Sequence, residues 1–246
     1  MRYEMMLPHQ LRQAMDENWP AVLPLGVLEY HGEHLAIGMD TLAVLRCLEQ
    51  LESEMNIIIL PPFYYGAGSY AVEGPAGTGT MQVDTEALVP FGHHFFRSLL
   101  RNGFRNIHAI IHHQSENFTA GMPTDLSFKL AGRKAIFEFL MNERGEGFWG
   151  DNSMADYYEK HDAGDNPFNW VQIHPLMDET IIKEYDFDHA GIGETSLLMA
   201  LDPAGVDMDQ FSDEKWYLRT AKNATREYGQ QAVDKILKRL RKILSN

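Results

Sequence analysis

Side chains that could hold metal ions crowd into one short stretch near the start of the chain. Glu29, His31 and Asp40 all lie within LEYHGEHLAIGMD, directly after the apolar run AVLPLGV. Neutral imidazoles and carboxylates, without thiolates, are ligands that suit Zn²⁺ and Mn²⁺, and a carboxylate such as Asp40 can bridge two ions. The stretch therefore indicates half of a hydrolytic metal site at the end of a strand.

Two later stretches carry the same residue types. IHHQSEN follows another predicted strand, and EYDFDHAGIGETS precedes the apolar segment SLLMAL. The candidate groups in these two stretches are His112, His113, Glu116, Asp186, Asp188, His189 and Glu194. Because ligands bind at the carboxyl ends of the strands in open α/β sheets, clusters on neighbouring strands are expected to converge there.

Several of these residues also have a structural interpretation. Asp40 stands before TLAVLRCL and could cap that helix, while Glu194 could be favoured near a helix N-terminus by the helix dipole. His108 lies inside a predicted strand and Cys47 stands among leucines at helical spacing, so both are expected in the core. Spacing alone leaves both interpretations open, because a short pattern such as E-x-H has many chance matches.

The elements that would position these groups alternate between strand-like and helix-like patterns. Short apolar runs without period-2 alternation are typical of strands covered on both faces, and helical periodicity fills the segments between them. In the second helix Asp84 is the predicted N-cap and Gly103 the predicted C′ residue. The predicted strands are 21–28, 56–60 and 106–111, and the predicted helical segments are 41–55, 84–103, 123–145 and the chain from 213 onward. This order predicts an α/β fold, a three-layer α/β/α sandwich with a mainly parallel sheet.

Two long segments fit neither pattern. Residues 66–82 are rich in glycine, and residues 144–170 are polar and aromatic. Long loops in compact domains are usually functional or disordered, and the aromatic residues of the second segment favour a lid or a contact surface.

Composition restricts the class of protein and its partners. The chain has 246 residues, 44% of them hydrophobic and 23% charged, which predicts one globular domain over residues 1–246. The net charge of −14, without any Lys/Arg-rich run, argues against nucleic-acid binding. One cysteine excludes a disulfide framework, and no signal peptide or long apolar span is evident, so we expect a cytoplasmic protein without a membrane partner.

Together, the three blocks resemble the signature of the creatininase (creatinine amidohydrolase) family. The family's early pattern E-x-H-G-x-H-L-P-x-x-x-D matches residues 29–40, except that Ala36 replaces the proline. Its late pattern D-x-x-H-A-G-x-x-E-T-S matches residues 186–196 at every position. Its central pattern N-G-H-x-x-N is matched loosely by residues 103–117, and the resemblance spans roughly residues 20–205.

The resemblance implies a binuclear Zn²⁺/Mn²⁺ hydrolase of α/β fold, commonly a homo-hexamer, that acts on cyclic amides or related small molecules. Carried onto this chain, it implies that Glu29, Asp40 and His113 hold one ion. It likewise implies that His31, Asp40 and Glu116 hold the other.

The resemblance also implies catalytic and substrate-binding roles. His189 would transfer a proton near the leaving group, and Glu116 and Glu194 would be the other catalytic residues. Glu194 would also be the natural replacement for a missing glutamate ligand. Tyr30 and Tyr185 would wall the pocket, with Asp186 among the substrate-binding residues. Tyr185 stands where creatininase itself has tryptophan. This difference argues against a pocket for creatinine itself.

Two ligand assignments stay open in the central block. Ile111 and His112 stand where the family has Asn-Gly, and one extra residue separates His113 from Glu116 relative to the family's H-x-E. His112 therefore competes with His113 as a ligand of the first ion. Glu194 similarly competes with Glu116 as a ligand of the second.

The reaction that this resemblance implies is metal-assisted hydrolysis, in which His189 protonates the departing atom. Hydrolysis of a cyclic amide or related C–N bond ranks first. The alternative within the enzyme class is ring opening of an inositol-derived cyclic diketone by C–C cleavage. A non-catalytic metal or small-molecule binding protein is the alternative of another class, and the presence of both His189 and Glu194 argues against it.

Overall fold

A four-stranded parallel sheet lies at the centre of the fold. In this computed structural model, which describes residues 1–163 and 166–245, the strand order is β2-β1-β3-β4. The strands are β1 (Ala21–Leu25), β2 (Ile58–Ile59), β3 (Ile107–Ile111) and β4 (Val171–Pro175). Ala21 is in register with Ile107, and Ile107 with Val171, so three strands end at the same edge of the sheet.

Helices cover both faces of the sheet. They are α1 (Pro8–Asp16), α2 (Met39–Glu52), α3 (Thr85–Asn102), α4 (Pro123–Arg144), α5 (Tyr157–Asp162), α6 (Glu179–Glu184), α7 (Ile192–Leu201) and α8 (Arg226–Leu244). One core cluster packs α2, α6, α7 and α8 against Val22 and Ile110, while the other packs α1, α3 and α4 against Leu23 and Ala109. The predicted α/β/α sandwich with a parallel sheet is thereby confirmed.

The sequence pattern located most elements but not their ends. All five residues of β1 and of β3 are buried, which explains why neither strand alternates. Strand β4 was not predicted, because VQIHP is short, polar at two positions and closed by proline, and it lies at the edge of the sheet. The described part of the segment 144–170, which was predicted as a loop, contains α5 and three short 3₁₀ turns.

Helix ends differ from expectation at one functional position. Gly103 ends α3 in the left-handed region with φ 112°, as predicted, while Asp84 occupies the N-cap position without a capping side-chain hydrogen bond. Helix α2 begins at Met39, with Gly38 as its N-cap. Asp40 is therefore inside the first turn, and the capping interpretation of this residue is wrong.

The packing of α7 on α8 is unusually close. A Cβ built on Gly229 of α8 would lie 1.8 Å from the backbone oxygen of Ser196 in α7, so no larger residue fits there without movement. The same packing sets the position of the first turn of α7. Among the described residues, no helix has the length and apolar character needed to cross a membrane.

Candidate metal centre

The strand order places the polar clusters at one point. The chain leaves β1 for the edge strand β2 and then returns to β3 on the other side of β1, so the order reverses between β1 and β3. Glu29 and His31 follow β1, and His112 and His113 follow β3 directly. Such a switch point, at the carboxyl ends of parallel strands, is where open α/β sheets bind ligands.

Two helix N-termini bring carboxylates to the same place. Asp40 lies in the first turn of α2 and Glu194 in the first turn of α7. The partial positive charge of a helix N-terminus favours a carboxylate there. The backbone N–H of Ala190 also donates to Oε2 of Glu194 over 2.7 Å, which ties this side chain to the loop before its own helix.

The loop after β1 is fixed by hydrogen bonds to distant segments. The N–H of Glu29 donates to the carbonyl of Ile37 over 3.1 Å, and the N–H of Tyr30 donates to Thr80 Oγ1 over 2.9 Å. The N–H of Ser69 donates to Oε1 of Glu29 over 3.0 Å. The glycine-rich segment 66–82 therefore supports the loop and orients one of its carboxylates.

The side chains form two ligand groups that share one residue. Glu29, Asp40 and His113 each offer an atom within 4.8 Å of the others, and so do His31, Asp40 and Glu194. His113 Nδ1 lies 3.2 Å from Oε2 of Glu29 and 3.7 Å from Oδ2 of Asp40. His31 Nε2 lies 3.6 Å from Oδ1 of Asp40 and 3.5 Å from Oε2 of Glu194. The two oxygens of Asp40 thus face different groups.

Burial and charge act against each other in the site. Burial alone would lower the pKa of His113, but its hydrogen bond to Glu29 and the negative charges of Asp40, Glu29 and Glu194 raise that pKa to about 9. Burial would raise the pKa of Glu29 and of Glu194, yet the neighbouring histidines hold both below their usual values. The pKa of His31 is likewise raised by Asp40 and Glu194 against its burial. Three buried carboxylates thus create a strong demand for positive charge, which protons on histidine or metal cations can meet.

The donor atoms fit divalent cations. Within the described residues, Oδ2 of Asp40 is buried, lacks any hydrogen-bond partner and lies 3.7 Å from Nδ1 of His113. Nδ1 of His31 lies 2.9 Å from the carbonyl of Glu29, which holds the ring and leaves Nε2 free to face the cavity. A backbone carbonyl on the far nitrogen is the usual support for a metal-binding histidine. Nitrogen and oxygen donors without thiolates suit Zn²⁺ or Mn²⁺.

His189 lies at the edge of the same groups. Its Nε2 is 2.8 Å from the carbonyl of Tyr30, its ring stacks on His31 with centroids 4.3 Å apart, and its Nδ1 lies 4.0 Å from Oε2 of Glu29. If Nε2 donates to the carbonyl, Nδ1 is the nitrogen that can accept or release a proton toward the cavity. Glu29, His31 and His189 also form a third group within 4.8 Å, so the histidine is close enough to act directly at the site.

A cavity of about 240 Å³ opens over these groups. Part of its wall is apolar, formed by Val72, Met122, Met177, Ile182 and Phe187. Besides these and the two ligand groups, the lining residues are Ser69, His112, Gln114, Glu116, Asp188 and His189. Among the described residues that line it, none is Lys or Arg. The described lining thus consists of acidic, imidazole, neutral polar and apolar side chains.

Four residues with expected roles lie outside the two ligand groups, and three of them also lie outside the cavity lining. Tyr185 is buried in the core against Tyr228, with ring centroids 5.4 Å apart. Because its ring packs in this apolar core, the side chain does not line the cavity. Asp186 is exposed in a left-handed conformation with φ 45°, facing away from the lining. The hydroxyl of Tyr30 donates to Glu33 beside a neighbouring cavity instead. None of these three side chains lines the cavity over the ligand groups, and their substrate-binding roles stay predictions.

Glu116 is the fourth of these residues. It is exposed at the mouth of the cavity and belongs to neither ligand group, since the turn after β3 carries it away from Asp40. Glu194 stands in the second group in its place. Of the open ligand assignments, the structure therefore puts His113 in the first group and Glu194 in the second.

Two residues of the site had no assigned role in the sequence. His112, considered only as a competitor of His113, is buried and lies 3.2 Å from Glu194 through its Nε2. Asp188 lines the cavity, and burial together with Glu194 raises its pKa to about 6. The position of Asp188 one residue before His189 was the available signal, but only the turn before α7 decides which of the two aspartates faces inward.

Comparison of the sequence with known proteins identifies relatives. The sequence model of the creatininase family, described as creatinine amidohydrolase, matches residues 4–244. A creatinine amidohydrolase from Pseudomonas putida is 25% identical over 194 residues, which cover 78% of this chain and 68% of that enzyme. A 3-dehydro-scyllo-inosose hydrolase from Thermotoga maritima is 27% identical over 103 residues, covering 42% of this chain and 32% of that protein.

Solved structures share the fold at low identity. A tryptophan-to-phenylalanine mutant of creatininase superposes with a TM-score of 0.71 at 19% identity, covering 97% of this chain and 95% of the other. A structure named Creatininase Mn superposes with a TM-score of 0.66 at 20% identity, covering 96% and 94%. The α/β architecture described above is therefore shared along nearly the whole of each chain.

Proposed function

This chain belongs to the creatininase family of hydrolases, and on that premise we propose that it uses two divalent metal ions to hydrolyse a C–N bond in a small cyclic amide. The observation that carries the proposal is the position of Asp40, whose two oxygens face two separate groups of nitrogen and oxygen donors. A carboxylate shared in this way is the arrangement expected of a bridging ligand.

The residues would divide the ions between them. Glu29, Asp40 and His113 would hold one, and His31, Asp40 and Glu194 the other. Bound divalent ions of this type lower the pKa of water toward neutrality and polarise a carbonyl oxygen. Zn²⁺ and Mn²⁺ are the candidates, because these ligand types accept both.

The chain's own groups would supply binding and proton transfer. Nδ1 of His189 faces Glu29 and lies at the edge of the cavity, where it can deliver a proton to the departing nitrogen. The apolar wall, including Ile182 and Phe187, would exclude water around the scissile bond.

Ring opening of a cyclic diketone is the second candidate. It is favoured by the partial similarity to the Thermotoga maritima protein named 3-dehydro-scyllo-inosose hydrolase, although that match covers 32% of the protein. Both reactions begin at a carbonyl and need the same positioned groups. A polyhydroxylated substrate, however, would leave the apolar part of the lining without matching surface. Cyclic amides therefore rank first.

The test pairs turnover with metal content. The chain loaded with Zn²⁺ or Mn²⁺ is assayed against creatinine, other small cyclic amides and cyclic diketones, and His189→Ala is compared with wild type. We expect turnover to fall by about 10²–10⁴-fold, the usual contribution of a general acid or base, with two ions per chain retained. His94→Ala, at an exposed position of α3, is the control and should change neither quantity.

Two results would contradict the proposal. Unchanged turnover in His189→Ala would remove this residue from the reaction. Absence of turnover on every substrate by a chain that binds two ions would favour the non-catalytic binding protein. A homo-oligomeric, cytoplasmic enzyme remains part of the proposal, and sedimentation of the purified chain would test the first of these properties.

A further inference from the structure

His112 is a buried histidine with a single polar neighbour. It is 3% exposed and follows β3 directly, and Phe187 packs edge-on against its ring with centroids 6.2 Å apart. Nε2 lies 3.2 Å from Oε1 of Glu194. Neither ring nitrogen makes a hydrogen bond of good geometry within residues 1–163 and 166–245. Since buried polar groups are rarely left unpaired, the approach of Nε2 to Glu194 is the contact through which this imidazole can be paired.

The two oxygens of Glu194 have different partners. Oε2 accepts a hydrogen bond from the N–H of Ala190 and lies 3.5 Å from Nε2 of His31. Oε1 faces His112. A glutamate has three rotatable side-chain bonds, and one backbone hydrogen bond alone does not fix the plane of its carboxylate. A second contact on the other oxygen does.

We propose that His112 is a positioning residue, which donates its Nε2–H to Oε1 of Glu194 and so holds this carboxylate toward His31 and Asp40. The inference rests on the proposed function, because it assigns His112 to the ligand group of the second ion. The first group, formed by Glu29, Asp40 and His113, does not include Glu194 and should not depend on His112. The inference thus predicts an effect on one ion only.

Direct titration of metal separates the two ions. Zn²⁺ is titrated by calorimetry into the full chain after removal of bound metal, for wild type, His112→Phe and His112→Gln. Phenylalanine keeps a ring against Phe187 without a donor, whereas the glutamine amide restores an N–H donor. Loss of a hydrogen bond to a ligand typically lowers metal affinity by about 10–100-fold. We expect that loss for one of the two ions in His112→Phe, with the other ion unchanged and partial recovery in His112→Gln.

A matched control removes a histidine that faces a glutamate elsewhere. Nε2 of His93 lies 2.6 Å from Oε2 of Glu138, between α3 and α4 and outside the cavity. His93→Phe should bind both ions as wild type does. Urea unfolding of each metal-free variant verifies that the chains remain folded under the titration conditions.

The outcomes distinguish the inference from the function on which it rests. Two ions bound with wild-type affinities by His112→Phe would overturn the role of His112 and leave the two-ion proposal intact. Equal weakening of both ions, or no recovery in His112→Gln, would also overturn it, because a general structural defect would then explain the loss. If wild type binds a single ion, the two-ion function fails, and the inference survives only if His112→Phe weakens that ion by at least about tenfold.

Discussion

Replacing Asp40 by asparagine should abolish the stabilisation that divalent ions give to this chain. Asp40 is 2% exposed. It is the one residue shared by the ligand group that contains His113 and the ligand group that contains Glu194. Asparagine has nearly the same volume, so the core around α2 is retained while the bridging charge is lost. The substitution therefore addresses metal binding more directly than it addresses packing.

The magnitude follows from the shared position. An ion present at a hundred times its Kd stabilises the native state by about 2.7 kcal/mol, so two ions give about 5 kcal/mol. For a chain of this size, 1 kcal/mol shifts Tm by about 2–4 °C, which predicts a rise of about 10–20 °C in wild type. Asp40→Asn should lose nearly all of this rise. Glu29→Gln affects one of the two groups that share Asp40 and should lose about half of it.

Thermal unfolding with and without Zn²⁺, after treatment with a chelator, measures these increments. Asp125→Asn is the matched control, because Asp125 is also a fully buried aspartate in the first turn of a helix, where it pairs with Lys129 in α4. That variant should have a lower Tm throughout but the full rise on adding Zn²⁺. If Asp40→Asn showed the same rise as wild type, the bridging role of Asp40 would be refuted.

Two further predictions concern stability. Burial lowers the pKa of His108 to about 4 and that of His174 to about 3, whereas the unfolded chain takes up these protons near pH 6.5. The part of the folding stability that depends on neutral His108 and His174 is therefore fully present above pH 6.5 and is lost as the pH falls toward 4. At about 1.4 kcal/mol per proton per pH unit, the free energy of unfolding falls by about 2 kcal/mol for each histidine between pH 6.5 and 5. Urea unfolding in chelator should give a shallower pH dependence for His108→Gln than for wild type, whereas the exposed His94→Gln should behave as wild type does. Equal slopes in all three chains would disprove the assignment of this loss to His108. Gly229→Ala should lower the free energy of unfolding by about 1–3 kcal/mol, because its Cβ would meet the backbone of Ser196, and an unchanged urea midpoint would show that α7 and α8 separate at little cost.

The layered fold could be predicted from the sequence because its signals are local. Continuous apolar runs marked β1 and β3, and a glycine marked the end of α3 at Gly103. Strand β4 was not predicted from the sequence, because an edge strand is only partly buried and need not be apolar. The extent of one domain over the whole chain, predicted from composition, remains a prediction.

The candidate site was only partly accessible in the same way. Glu29, His31 and Asp40 were found because they crowd into one block, and the family was identified from that block and from the late one. The sequence did not show that Tyr185 is buried beside Tyr228, because the direction of a side chain depends on tertiary packing, which a sequence motif does not specify. Similarly, Glu116 and Glu194 could not be ranked, since both occur near predicted element ends.

The sequence alone determined the kinds of ligand atom, the blocks of the chain that carry them and the resemblance to the family. These properties are local, because they depend on residue type and on spacing within single blocks. Only the tertiary structure decided which carboxylate joins His31 and Asp40, and that Nε2 of His112 faces Glu194. These contacts span the interval from β1 to α7, so they are set by the reversal of strand order and by the packing of α7 on α8 rather than by any neighbouring residue.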